Sequence, residues 1–502
     1  VGGKVLGIGA GIAHGNDVSA EPGARPMVMI RPLLIFFALV AVSGPTDAFP
    51  MPAQPLHVLW AAGVYVFFVW TATAILRIRT LRGLAGTRTD FVRTLRELSI
   101  GKSAIFWLAC LLYGWMILGM NWPRVVREWI GLERVPLLDE LFILAPLAAA
   151  LVGSTAILRL AEEAAEWKLH RLRFPLTDWL PWNPSIRNHL RSEHGPWLII
   201  TFFLFLVNET VRWAGLSESA SVALGMVMVG LFSLVGISWI LRATLPLEPF
   251  PAGRLREALT RLARLRQVGL REVYLWNAPH EVANAAITGV FPRSRFVILS
   301  RALVNMVSPS ELLSIFGHEV GHAKGGHLWI LFASATLTVA GSFLAVTFFG
   351  WGRGGPVPAD LLEIPLAVGL ACPLLYLMIG WLSRQFEHQA DLEGCRAASV
   401  GLDLLMREGS GPSSSVPLTP AGVQVFGSAL ERVAIFNGID PDRWTWRGGR
   451  LRDRIRFLQR VEVNPSLGAH FDRRLTRQVT GLLLTLSIGV TGLMVARVVW
   501  PG

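Results

Sequence analysis

Charge is scarce in this chain. Asp, Glu, Lys and Arg supply 16% of its 502 residues, hydrophobic residues supply 52%, and mean hydropathy is +0.47. That balance excludes an ordinary water-soluble globular protein and fits a polytopic membrane protein. Cysteine is scarce as well. Cys110 and Cys372 lie in apolar runs and Cys395 in a polar stretch, which excludes a disulfide framework and a cysteine-built zinc site. Acids are the scarcer sign, 35 against 47 bases, for a net charge of +12. No internal repeat is visible. The glycines at Gly7, Gly9 and Gly11 are followed by no βαβ pattern, so they mark no dinucleotide site.

What is present is apolar sequence in span-length runs. They fall at 56–76, 103–121, 141–158, 197–213, 221–241, 328–350, 361–382 and 479–499, with a shorter candidate at 33–43. Between them the charge alternates. Residues 77–102 carry Arg77, Arg79, Arg82, Arg88, Arg93, Arg96 and Lys102 against Asp90 and Glu97, whereas 122–140 holds more acids than bases. Loop 159–196 is basic, 214–220 holds Glu218 and no base, 242–327 is arginine-rich, 351–360 holds one arginine, and 383–478 is basic again. The positive-inside rule therefore puts 242–327 and 383–478 in the cytoplasm. The excess arginine serves topology and anionic lipid, and no nucleic-acid partner is invoked. Met27 or Met29, Arg31, an apolar run and Ser43–Ala48 read as a signal peptide or a span; residues 1–26 read as upstream sequence or a disordered tail.

One segment carries chemistry. His318-Glu-Val-Gly-His322 is an H-E-x-x-H motif, and its two histidines, four apart, share a helix face and can reach one metal ion. Glu319 between them is suited to take a proton from water. Ser308, Pro309 and Glu311 form a capping box that starts the helix, Leu312, Leu313, Phe316 and Val320 give it an apolar stripe, and Gly325-Gly326 loosens or ends it. The spans 328–350 and 361–382 then form a hairpin, after which comes Glu387-His-Gln-Ala-Asp391. His322 lies six residues before the first of these spans and Glu387 five after the second, about 9 and 8 Å at helical rise. At that shared height Glu387 completes a two-His, one-carboxylate zinc site with one open position, and Asp391, a turn later, supports a ligand histidine. The competing reading makes Glu387 and Asp391 solvated carboxylates beside Arg384; the matched heights tell against it. His327 and His388 read as interfacial or surface residues off the ligand face, and His280 as a loop histidine.

Around the motif, Leu255, Leu259, Leu262 and Leu265 stripe a helix whose other side is Arg254, Arg256, Arg261, Arg264 and Arg266; it suits either the membrane surface or the core. Strands are expected at 272–276, 284–288 and 295–300, forming either a plain structural sheet or the border of a cleft that holds an extended peptide. Residues 408–420 read as a flexible insertion, 421–437 as a helix, and Arg443–Arg460 as an arginine-dense segment.

Taken together, these residues resemble the integral-membrane zinc metallopeptidases of the HtpX-like and CAAX-prenyl-protease (Ste-type) family. The likeness covers roughly 245–460 and rests on Asn284-Ala285, Thr288-Gly289, Phe296–Ser300, His318–His322 and Glu387-x-x-x-Asp391 in that order. It implies His318, His322 and Glu387 as ligands of one Zn2+, Glu319 as general base, Asp391 as support, and Asn284 and Arg454 as substrate-binding residues. It departs at Gly448, where the family carries a histidine six residues before the arginine.

The expected fold is mainly α, a polytopic helical membrane protein with a cytoplasmic-side zincin-like domain and a small β-sheet. Its parts are an N-terminal tail and signal-like or anchor segment (1–48), a membrane region of about five spans (49–243), a zinc metallopeptidase domain including the hairpin 328–382 (244–475), and a C-terminal span (476–502). The expected function is zinc-dependent endopeptidase action on membrane-associated or misfolded polypeptides, with the lipid bilayer as the other partner, in a bacterial inner membrane and facing the cytoplasm. Two alternatives stand beside it. One is an inactive scaffold with a relic metal site; the other is a site-two-type intramembrane protease, disfavoured because Leu402-Asp403 is followed by Leu404, not glycine. A pore or pump is disfavoured because Glu209 and Glu363, both near span ends, are the only acids in the runs, and the arginines in them, Arg212 and Arg497, also lie at span ends.

Overall fold

The structure is a computed structural model that describes residues 54–85, 88–132, 135, 137–169, 184–215, 218–277, 282–350, 359–406 and 418–499. The expectations for residues 1–48, for His280, for the Glu363 side chain and for the insertion through 417 lie outside them.

In hydrocarbon every backbone N–H and C=O must be paired within the chain, so long apolar runs become helices. The N-terminal half is built of α1 (Pro55–Leu84), α2 (Arg88–Leu118), α3 (Leu138–Leu169), α4 (Pro184–Trp213) and α5 (Glu218–Thr244). Val69, Ala109, Tyr113, Ile143 and Leu147 from α1–α3 form one buried core. Polar bonds stitch the same helices: the Tyr65 hydroxyl donates to the Ala109 carbonyl (3.1 Å), Tyr113 to Ile143 (2.8 Å), and Thr73 pairs with Ser154 (3.0 Å). Trp60, Phe67, Leu111 and Trp115 point outward as a lipid face. Buried acids are more numerous here than the runs suggested. Glu209 gathers with Asp139 and Glu140 at the ends of α4 and α3, and Arg127 donates to Asp139 at 2.8 Å.

Among the described residues seven helices are long and apolar enough to cross a membrane, and they cover seven of the eight expected spans. The eighth expected span lies on α5, whose described apolar portion is the shorter stretch Leu234–Thr244.

After α5 come β1 (Leu247–Pro249), α6 (Arg254–Leu265), β2 (Glu272–Trp276), β3 (Ala285–Thr288), β4 (Phe296–Ser300) and α7 (Arg301–Met306). The sheet order is β1-β2-β4-β3, with β2 and β4 parallel and both outer strands antiparallel to their neighbours. β1 was not expected; three residues ending in Pro249 carry no alternation to read. α6 turns its leucine stripe into the core, not toward lipid. Leu259 and Leu262 pack with Leu299, Leu312, Leu313 and Phe316, all at most 1% exposed. Each such side chain contributes about 1.5–3 kcal/mol relative to exposure.

α8 (Pro309–Lys324) carries H-E-x-x-H and starts at the expected capping box: Glu311 N–H donates to Ser308 Oγ (3.3 Å) and Ser308 N–H to Glu311 Oε2 (2.8 Å). α9 (His327–Phe348) and α10 (Ala359–Met406) form the hairpin, and α11 (Pro420–Phe436), α12 (Leu451–Val463) and α13 (Ser466–Val499) complete the chain. α10 is a single 48-residue helix, so the returning span and the Glu387–Asp391 segment are one rod.

Arg266 does not lie on α6's solvent side as its pattern suggested. It is 6% exposed and donates through Nε to Glu393 Oε2 on α10 (2.7 Å), while Lys324 (3.0 Å) and Arg396 (2.7 Å) donate to the other oxygen. One carboxylate thereby joins α6, α8 and α10. Glu393→Ala strands the buried guanidinium and is expected to cost about 3–5 kcal/mol. A lower thermal unfolding midpoint of the purified chain checks this.

Candidate metal centre

The site exists because α8 and α10 touch backbone to backbone. A Cβ at Gly317 would stand 2.1 Å from the Ala397 Cβ, and one at Gly321 would stand 2.9 Å from the Glu393 Cβ and 3.1 Å from the Ala390 Cα. Two glycines four residues apart remove one row of side chains, so the helices close as small-residue pairs do in membranes. The neighbouring faces then meet: His318 and His322 from α8, Glu387 and Asp391 from α10.

His318 Nε2 and His322 Nε2 are 3.2 Å apart, and the Glu387 carboxylate lies 3.6 Å from the first and 3.8 Å from the second. Donors at zinc-like distances of 2.0–2.1 Å around a tetrahedral centre stand about 3.3 Å from one another. The three groups thus present the separation such an ion needs. Their charges suit it too. Glu319, Glu387 and Asp391 face the single guanidinium of Arg454, leaving negative charge that a divalent cation balances.

Burial pulls the His318 imidazole down, but Asp391, with Glu387 and Glu319 behind it, outweighs burial and holds it above its ordinary pKa. Burial, then the His318 and His327 rings, holds His322 well below the usual value, so it offers a bare nitrogen. Burial raises Glu319, and the Glu387 charge adds to the shift, despite the Ile287 N–H that donates to Glu319 Oε2 at 3.0 Å. A carboxylate moved up toward neutrality is better matched to taking and returning a proton. That Ile287 bond also fixes β3, an outer strand of the sheet, beside Glu319.

Asp391 is fully buried. Its Oδ1 lies 3.0 Å from His318 Nδ1, off the line of a straight hydrogen bond. Arg454 grips Asp391 through Nε (2.8 Å) and Nη2 (2.5 Å) and reaches Glu387 through Nη1 (2.9 Å). Arg454 is therefore neither a surface arginine nor free to extend; it holds the two α10 carboxylates of the site, Asp391 and Glu387. A side chain at Gly448 would stand near it, with the Cβ position 3.7 Å from Arg454 Nη1. Asn284 is exposed at the start of β3, its backbone paired with Ser300 through two bonds of 2.9 Å.

Three residues were missed in the sequence. His327, expected at an interface, is 3% exposed and bonded to His322, and Gln389 and Asp472 continue from it. The available signal was the Gly325-Gly326 pair, since Gly326 at φ +64° turns the chain back just before His327. His388 packs edge-on against Phe457 and Phe471, away from the donor atoms.

Residues 249–407 match the model of peptidase family M48. That stretch is similar to M48 peptidases, and the relatives it matches are HtpX proteases. By class the chain is a membrane metallopeptidase. A protease HtpX homolog of Moorella thermoacetica is 29% identical over 222 residues, covering 41% of this chain and 73% of the relative. Another, of Persephonella marina, is 30% identical over 161 residues, covering 30% of this chain and 53% of the relative. For the HtpX protease of Thioalkalivibrio sulfidiphilus the shares are 29% and 51% at 30% identity, so the chain spans about half the length of some curated relatives it matches. The crystal structure of S. mikatae Ste24p aligns with 81% of this chain and 99% of its own at 16% identity and a TM-score of 0.48.

Arg454→Met leaves Asp391 buried without its cation and releases Glu387. It is expected to cost about 3–5 kcal/mol of stability and to weaken metal binding, as read by thermal unfolding and by metal content after dialysis.

Proposed function

We propose that residues 244–475 form a zinc-dependent endopeptidase unit that cleaves membrane-associated or misfolded polypeptides at the cytoplasmic face of a bacterial inner membrane. The membrane regions 49–243 and 476–502 flank it. The convergence of His318, His322 and Glu387 donor atoms within 4.8 Å of one another, with Glu319 on the same helix, carries this reading. His318, His322 and Glu387 would hold the ion through imidazole nitrogens and a carboxylate oxygen, the donor set of hydrolytic zinc sites with an open position. When bound, Zn2+ would acidify water and polarise the scissile carbonyl.

The rest falls to the chain's own residues. Glu319 accepts a proton from the attacking water and returns it to the leaving amine. The rise in its pKa supports both halves of that cycle. Asp391 orients His318, and Arg454 holds Asp391 and Glu387 in place. β3 offers an outer edge next to Glu319, where an extended peptide would add as a further strand and bring its carbonyl to the site. Asn284 opens that strand and is assigned to the peptide's approach. The loop charges favour the cytoplasmic orientation: Arg254, Arg261, Arg443 and Arg456 belong to the same side of the hairpin as the motif.

Glu319→Gln keeps size and removes the base. Made in a host lacking homologues, it is expected to retain zinc and lose cleavage of an unfolded membrane substrate by at least about 10²-fold. Cleavage at the wild-type rate would contradict the assignment.

A further inference from the structure

We propose that His327, Gln389 and Asp472 form a hydrogen-bonded chain that positions His322 and ties the metal centre to the last membrane helix. The proposal rests on the reading above, in which His322 binds the ion through Nε2.

The contacts run across four helices. His322 Nδ1 on α8 lies 2.8 Å from His327 Nδ1, the first residue of α9. His327 Nε2 lies 2.8 Å from Gln389 Oε1 on α10. Gln389 Nε2 donates to Asp472 Oδ1 on α13 at 3.0 Å. An ionised carboxylate only accepts, so the amide nitrogen of Gln389 faces Asp472 and its oxygen faces His327. That oxygen requires a hydrogen on His327 Nε2. With the ring's one hydrogen placed on Nε2 by that contact, His327 Nδ1 is left bare and accepting. The remaining bond therefore takes its hydrogen from His322 Nδ1, and His322 Nε2 is left bare. That nitrogen stands 3.2 Å from His318 Nε2 and 3.8 Å from the Glu387 carboxylate. Read in this direction, every donor meets an acceptor, and the chain selects the tautomer that presents a lone pair to a cation.

The packing holds the chain in that register. The His327 ring stacks on Phe386, with centroids 4.1 Å apart and planes 5° apart, so it cannot swing away from His322. A Cβ at Gly325 would stand 2.3 Å from His327 Nε2 and 3.1 Å from Gln389 Oε1, in the middle of their bond. Gly325 therefore leaves room for the bond, and Gly326 makes the left-handed turn that places His327 there. Because Asp472 belongs to α13, the orientation of a metal ligand depends on how the last membrane helix seats against α10.

The test is zinc affinity, measured by chelator competition on the purified full chain in detergent. His327→Phe keeps the stacking ring and removes both nitrogens; it is expected to weaken zinc binding about 10–100-fold, and Gln389→Leu comparably. Asp472→Asn keeps an acceptor oxygen and stays near wild type, whereas Asp472→Leu weakens binding. Wild-type affinity in both His327→Phe and Gln389→Leu overturns the proposal, and wild-type affinity in Asp472→Leu overturns its extension to the last helix. If His327→Phe fails to fold without metal, Gln389→Leu decides. His322→Ala separates the two readings. If it loses zinc while His327→Phe and Gln389→Leu do not, the chain is wrong and the metal site stands; if it binds zinc like wild type, the metal-site reading itself fails.

Discussion

The close approach of α8 and α10 at Gly317 and Gly321 is the constraint on which the rest depends. Any side chain at either position collides with Ala397, Ala390 or Glu393. With the helices pressed together, residues one position along each glycine row, His318 and His322, face Glu387 and Asp391 without help from any loop. The precision of the donor set is thus a property of helix packing, and rigid helices hold such geometry better than loops do. Glu393, gripping Arg266, Lys324 and Arg396, fastens the same interface from behind.

Gathering five titratable groups, His318, Glu319, His322, Glu387 and Asp391, so close together would be costly unless each had a partner. Arg454 resolves most of that by bonding Asp391 and Glu387, and Ile287 bonds Glu319. The remaining negative charge and the bare nitrogen of His322 are what a divalent cation would satisfy. Membrane and site are also one structure. The ligand-bearing part of α10 continues the returning span without a break, and α9 and α13 place polar side chains in contact with the ligands' own neighbours. Displacement of those spans would be felt at His322.

Much of this was legible from residues alone. The capping box, the helix it starts, the hairpin and the matching heights of His322 and Glu387 follow from local rules and helical rise, and the structure keeps all of them. The three longer strands lie within a residue of the expected runs. Less visible were features set by contacts between distant segments. β1 is too short for a pattern and exists by pairing with β2. Arg266 matched an amphipathic helix's polar side but turns inward, because Glu393 lies 127 residues away in sequence and beside it in space. Arg454 resembled a substrate arginine, yet its partners Asp391 and Glu387 could not be read from spacing. His327 was off the ligand face of an unbroken helix and reaches it only because Gly326 breaks that helix.

X-ray absorption at the zinc edge of the purified, zinc-loaded full chain tests the central claim most directly. The account expects one zinc per chain in a shell of nitrogen and oxygen donors at about 2.0–2.1 Å, two of them with imidazole outer-shell scattering that His318→Ala reduces to one. A sulfur donor at about 2.3 Å, or a shell unchanged by His318→Ala, would contradict it.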